Sequence, residues 1–557
     1  MFTAEEEQKY RKAFSNQDQF SFTEYGFANQ GLDIIDLDTW GEEKPESSLP
    51  YLEYAYSNLS SAAQKLLLCL AEFNKFIDKS DIPNYIEQLK IFEPLQDYPF
   101  DQFNAAIQQG IKSRLLAAMD DDGRFLMIHP ELPDFLQSQL DRNNQVIRST
   151  LREGFKNHYQ GLAISYQHLM ESQDDEEREL GLFFCRLEYE NLYNALQICL
   201  DKQAGINIYF CLDKYLESIS DRASNLKLAE LVCQHLEKYP NKFIKSKLGY
   251  QVAFAIEKCG SYQLDAKQYQ KARKSYEKTL KIYAALENVE DKQKQIWQAA
   301  AYHQLGRVYQ ELGDYPQAKR NFQQALDINI KYGVSEALSS EARYECAGTY
   351  NQLGIVAQAL GEYAQARQNF QQALEIFSEY GDSYECARTH HLLGIVAQQL
   401  GEYEPARSHY QQALDIFDEI GVSEALPGEA RNFSARTYHN LGSIAQKLQE
   451  YEQARQNYQQ ALDIKIASGD RQNCAGTYFQ LGRVAEELGE LEAAKANYLQ
   501  ALQITTEFSD RHNLEICLRN LTRFFQVTQD ESLLVAMSEI LGVSVEEILN
   551  LSIVNSQ

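Results

Sequence analysis

The chain has 557 residues, 44% hydrophobic and 24% charged, the proportions of a folded chain and not of a disordered one. Lys and Arg number 53 against 80 Asp and Glu, a formal net charge of −27 that repels phosphate backbones and argues against nucleic-acid binding. The longest apolar run, Leu66 to Ala71, has six residues where a membrane helix needs roughly 20, and MFTAEEEQKY has no signal-peptide character, so a cytoplasmic chain with no membrane partner is expected.

In chain order, residues 1–48 carry clustered acids and little periodicity, ending in WGEEKPESS, the text of a poorly ordered acidic linker. Residues 49–142 read as a small winged-helix-like domain. YLEYAYSNLSSAAQKLLLCLAEF is helical, with Ser60 or Ser61 available to cap its second helix. After a further helical stretch, Leu115–Met119 and Phe125–Ile128 flank an Asp-Asp-Asp-Gly turn as one β-hairpin. Residues 143–245 are helical but less periodic, as in RLEYENLYNALQICL and NLKLAELVCQHLEKY, and form an irregular bridge.

Residues 246–512 form a repeat array, clear from about residue 302. Its copies begin YHQLGRVYQELGDYPQA, YNQLGIVAQALGEYAQA, HHLLGIVAQQLGEYEPA, YHNLGSIAQKLQEYEQA and YFQLGRVAEELGELEAA. The marker glycines are Gly306, Gly354, Gly394, Gly442 and Gly482, spaced 48, 40, 48 and 40 residues apart. Twelve residues on lie Ala318, Ala366, Ala406, Ala454 and Ala494; four further lie Phe322, Phe370, Tyr410, Tyr458 and Tyr498. This pattern resembles the tetratricopeptide signature, and the long spacing is similar to that of kinesin light chain repeats. Gly and Ala let antiparallel helices approach, and the aromatic fills the space between neighbouring repeats. A degenerate sixth copy carries Gly260, Ala272 and Tyr276; residues 513–557 read as a helical cap over the last apolar face. The expected fold is all-α: a superhelical tetratricopeptide solenoid preceded by the winged-helix-like domain.

YSNLSSAAQKLLLCLAEF, IHPELPDFLQSQL and CRLEYENLYNALQICL resemble the rear part of cyanobacterial NB-ARC/STAND ATPases, in which a P-loop domain precedes a winged helix and sensor repeats. The resemblance covers roughly residues 30–557. It implies that His129 occupies the place of a nucleotide-contacting histidine, a role that requires an ATPase chain supplied in trans. The phosphate cradle G-x-x-x-x-G-K-[ST] is absent, and no Gly-Lys dipeptide occurs.

No catalytic constellation, cofactor motif or metal-ligand spacing stands out. Residues 51–140 hold seven Lys/Arg against thirteen Asp/Glu, so a DNA-binding regulator is the least favoured reading. Asp120, Asp121 and Asp122 lack the alternation of a calcium loop and read as a solvated turn. His390 and His391 point about 100° apart on a helix and do not share a metal. The ten cysteines contain no C-x-x-C and read as buried free thiols.

Functional residues are expected on the first helix of each repeat, facing a groove. Counted from the marker glycine, offset −3 holds His303, Asn351, His391 and His439; offset +4 holds Gln310, Gln358, Gln398 and Gln446. Arg388 and Arg436 lie at −6, and Arg307 and Arg483 at +1. Amides, imidazoles and guanidiniums in this register suit an extended, acidic peptide or protein ligand. The expected function is a non-enzymatic protein-interaction scaffold. The alternative is the detached sensor half of a STAND-type signalling ATPase, partnered by a separate NB-ARC/STAND chain.

Overall fold

The computed structural model describes residues 49–120, 123–287, 289–333, 339–423 and 428–548. The expected linker over residues 1–48, Asp121 and Asp122, and residues 549–557 lie outside the described residues. The chain divides into two compact units, Met1–Tyr262 and Gln263–Gln557. Among the described residues, the strands form one small sheet in the first unit, and no helix is long and apolar enough to cross a membrane.

The first unit opens with α1 (Leu49–Ser57) and α2 (Ser61–Leu67). Ser60 caps α2: its hydroxyl accepts from the Ala63 amide at 3.2 Å, satisfying one donor that a helix start leaves unpaired. Then come β1 (Phe76–Asp78), α3 (Ile82–Lys90), α4 (Phe103–Lys112), β2 (Leu116–Ala118) and β3 (Phe125–Ile128). The hairpin forms where the two apolar runs predict it, with Leu116 opposite Ile128. A single hairpin was too few strands, however. β1 pairs with the other edge of β3, Phe76 opposite Met127, giving the antiparallel order β1-β3-β2. Three residues cannot display a period of two; tertiary contacts fix this strand. Arg124, in the turn before β3, donates to both carboxylate oxygens of Asp78 at 3.0 and 2.7 Å, and both side chains are close to buried.

α5 (Leu132–Asn143) and the long α6 (Gln145–Met170) follow, then α7 (Asp175–Leu187), α8 (Tyr189–Asp201), α9 (Asn207–Ser218), α10 (Arg222–Leu236) and the short α11 (Asn241–Ile244). Phe73 anchors an aromatic core, meeting Tyr85, Phe155 and Tyr159 edge-on at 5.1, 5.0 and 5.9 Å between centroids. The buried Glu188 accepts from Tyr159 at 2.8 Å and Asn191 at 2.6 Å. The unit boundary falls inside α12 (Lys247–Asp265).

The second unit begins with α13 (Tyr269–Ala285) and continues as five antiparallel pairs: α14 (Asp291–Glu311) with α15 (Tyr315–Gly333), α16 (Ser339–Ala359) with α17 (Tyr363–Glu379), α18 (Ser383–Gln399) with α19 (Tyr403–Ser423), α20 (Gly428–Lys447) with α21 (Tyr451–Ala467), and α22 (Arg471–Glu487) with α23 (Leu491–Glu507). Each pair holds one marker glycine on its first helix and the aromatic on its second. A Cβ built on Gly354 would meet the Phe370 ring at 2.4 Å, and one on Gly394 the Tyr410 ring at 2.6 Å. The aromatic therefore covers its own glycine, and it also reaches the next repeat: Tyr410 shares a cluster with Leu441 and Ile444. The turn inside a pair uses a left-handed residue, a glycine in four copies, as at Gly361 and Gly401, but Gln449 in the fourth. α24 (Arg511–Thr528) and α25 (Glu531–Leu541) bury Leu521, Phe524 and Leu533 against Ala494, Tyr498 and Leu502 of the last pair. All ten cysteines are free, and all but the half-buried Cys233 are buried.

Candidate interaction face of the repeat array

First helices of successive pairs touch one another more extensively than second helices do, so the first helices lie on the inside of the stack's curve. The groove-facing side of the array is therefore built by α14, α16, α18, α20 and α22.

Offset −3 turns toward the next repeat, with Asn351 and His391 buried and His303 and His439 half-buried. It links each repeat to the next through a threonine at offset −5. His303 Nδ1 lies 3.0 Å from Thr349 Oγ1, His391 Nδ1 2.7 Å from Thr437 Oγ1, and His439 Nδ1 3.2 Å from Thr477 Oγ1. Asn351 donates to Thr389 at 3.1 Å. Thr349 and Thr437 give their own protons to the carbonyls of Glu345 and Phe433, so each accepts from the imidazole, which fixes the Nδ1–H tautomer of His303 and His391. Asn351 and His391 have no exposed surface, which corrects their assignment to an exposed lining. Burial, reinforced by Arg307, Arg436 and Lys465 respectively, pushes His303 down to about 4, His391 to about 3 and His439 to about 4, so all are neutral at pH 7. The sequence signal for these threonines is their repetition in register, as AGTY, ARTH, ARTY and AGTY.

Offset +4 is tied inward as well. Gln398 accepts from the Tyr410 hydroxyl at 2.9 Å and Gln446 from Tyr458 at 3.2 Å, both within one pair. In the first copy the partner is Phe322, which has no hydroxyl, and the buried Gln310 Oε1 has no hydrogen-bond partner. Gln358, opposite Phe370 in the second copy, is half-buried.

The arginines separate by face. On the second helices, thirteen residues after the marker glycine, an arginine pairs with an acid one repeat onward: Arg367 with Glu402 at 2.5 Å, Arg407 with Glu450 at 2.6 Å and Arg455 with Glu490 at 3.0 Å, while the neighbouring Arg320 on α15 is exposed. Lys319 with Glu362 and Lys495 with Asp530 extend the same ladder. On the first helices, Arg388 is half-buried and held by Glu385 at 2.9 Å. Arg307, Arg436 and Arg483 are exposed, with no carboxylate within ion-pair distance among the described residues. Arg307 reaches only the Gln304 amide, and Arg436 lies over the Phe433 ring at 5.2 Å.

Away from the array, His129 is half-buried at the end of β3; its Nδ1 accepts from the Glu131 amide at 3.3 Å. Asp120 accepts from the Phe125 amide at 2.9 Å and so closes the hairpin turn.

Residues 255–331, 345–419 and 433–521 match the tetratricopeptide repeat family, and residues 303–360 match a second tetratricopeptide description. The array is made of tetratricopeptide repeats. No curated protein matches the sequence. Among solved structures, the chain is similar to a STAND protein with a tetratricopeptide repeat sensor from Pyrococcus horikoshii: 15% identity, 89% of this chain, 68% of that one, TM-score 0.44. It is similar also to aspartyl phosphate phosphatase F from Bacillus subtilis, at 16% identity over 70% of this chain and 96% of that one, TM-score 0.40. A structure of nearly identical tetratricopeptide-like repeats from Podosopora anserina is 16% identical over 42% of this chain and 98% of that one, TM-score 0.32.

Proposed function

We propose that the tetratricopeptide array is a non-enzymatic scaffold whose inner face binds an acidic peptide segment of a protein partner. The observation that carries this reading is the contrast between faces. At the position copied along the second helices Arg367, Arg407 and Arg455 are engaged in inter-repeat ion pairs, whereas Arg307, Arg436 and Arg483 on the inner helices keep their guanidiniums open in a chain of net charge −27. Guanidinium grips a carboxylate through two parallel hydrogen bonds, a geometry that lysine cannot supply. At about 10 Å per helix layer, neighbouring repeats are spanned by a few extended residues at about 3.3 Å each. The test is selection from a random phage-displayed peptide library on the immobilised chain. Sequences rich in Asp and Glu should emerge, and their binding should weaken as salt rises. Enrichment of neutral or basic sequences contradicts the reading.

A second reading draws on the first unit. Its order of two helices, a strand, two helices and two strands is compatible with a winged helix of the kind that precedes sensor repeats in signalling ATPases. It requires a separate nucleotide-loaded P-loop chain to dock at His129. Co-purification of such a chain with the parent, lost on His129→Ala, would support it, and equal recovery with that variant would oppose it.

A further inference from the structure

The third clear repeat departs from its sisters at two positions together. Four residues before the marker glycine, the others carry Tyr302, Tyr350, Tyr438 and Tyr478, where this copy has His390. Fifteen residues after it, the others carry Asn321, Asn369, Asn457 and Asn497, where this copy has His409. The positions lie on α18 and α19 of one pair, and the fold brings the rings together: Nδ1 stands 3.2 Å from Nδ1, with ring centroids 5.5 Å apart. In sister copies the asparagine turns back to its own helix, as Asn321 does to the Gln317 carbonyl at 2.8 Å and Asn497 to the Ala493 carbonyl at 2.9 Å. A hydrogen bond across the pair needs only one new donor or acceptor; the coincidence here is of two metal-ligating side chains.

We propose that His390 and His409 form a two-imidazole site for a divalent transition metal of the zinc, nickel and copper class. Two nitrogens bound tetrahedrally at roughly 2.0–2.1 Å lie about 3.3 Å apart, and these lie 3.2 Å apart without any movement. Imidazole is the ligand such ions favour. Arg367, the cation that acts on His409, is engaged by Glu402 at 2.5 Å. Among the described residues no third His, Cys, Asp or Glu completes the set. Both rings are half-exposed, which leaves the remaining coordination positions to water.

The experiment is calorimetric titration of the untagged full chain with Ni(II) and, separately, Zn(II) at pH 7.5. The comparison variants are His390→Tyr and His409→Asn, which restore the residues of the sister repeats and therefore suit the fold. One saturable site is expected in the parent, weakened at least tenfold in each single variant and lost in the double, with Ni(II) raising the Tm of the parent alone. A parent with no saturable binding, or a double variant that binds as the parent does, overturns the proposal and leaves the pair as an N–H···N hydrogen bond only.

Discussion

The two units solve the same problem, burying polar groups inside helical protein, in opposite ways. In the first unit each solution is singular: Asp78 with Arg124, Glu188 with Tyr159 and Asn191, Asp213 with Lys258 at 2.6 Å. In the array one solution is copied with the repeat: histidine or asparagine to threonine between repeats, and cation to acid along the second helices. Singular contacts concentrate risk in single residues. Copied contacts spread it, because each repeat is held by its neighbours alone.

Acidification should separate the units most. His303, His391 and His439 are neutral when folded, with values pushed down to about 4, 3 and 4, while the unfolded chain takes up protons near 6.5. Their stabilisation is complete above about pH 6.5 and is lost as pH falls toward 4. By pH 5 the loss is about 1–2 kcal/mol for each histidine. Glu188 has the opposite sign: burial pushes it up to about 8, so its unfavourable ionisation is relieved as pH falls. Calorimetry between pH 7.5 and 5 should show the array's transition falling relative to that of the first unit. Transitions that move together would break the comparison.

Arg124→Ala should cost about 3–5 kcal/mol in the first unit, since it removes the only charged partner found for the nearly buried Asp78 carboxylate among the described residues and leaves it the Ser80 amide and hydroxyl. Loss of the β1 edge in amide hydrogen exchange would accompany it. Gly394→Leu tests the array at the place where a Cβ meets Tyr410 at 2.6 Å. Overpacking there should cost about 1–3 kcal/mol, with exchange protection reduced in α18 to α21 and preserved at the far end of the stack. Gln449→Gly should be the smallest change and stabilising. Gln449 sits at φ 62° where sister turns use glycine, so relief of left-handed strain, less the entropy cost of glycine, should raise stability by about 0.5–1 kcal/mol in urea unfolding.

The same contrast governs what could be read from the sequence. The marker Gly, Ala and aromatic positions declared the repeat pairs because five copies average out the exceptions, and Ser60 declared its cap because capping is local. β1 stayed hidden, because three residues carry no period and its partner strand lies about fifty positions away. At offset −3 the register is legible, but the burial of Asn351 and His391 against the next repeat is not. Sequence fixes which face of a helix a residue occupies, but whether that face meets solvent or the next repeat depends on the crossing of the helices. His390 and His409 were legible singly; only the hairpin geometry joins them.

The inner and outer arginines offer the most direct test of the proposed function. Two triple variants, Arg307→Ala with Arg436→Ala and Arg483→Ala, and Arg367→Ala with Arg407→Ala and Arg455→Ala, would be compared for Tm and for binding of one library-selected acidic peptide by fluorescence anisotropy. The inner set should lose at least tenfold in affinity at unchanged Tm, and the outer set should lower Tm while binding as the parent does. Equal binding by the inner set and the parent, or loss confined to the outer set, would contradict the assignment of the groove arginines to a partner.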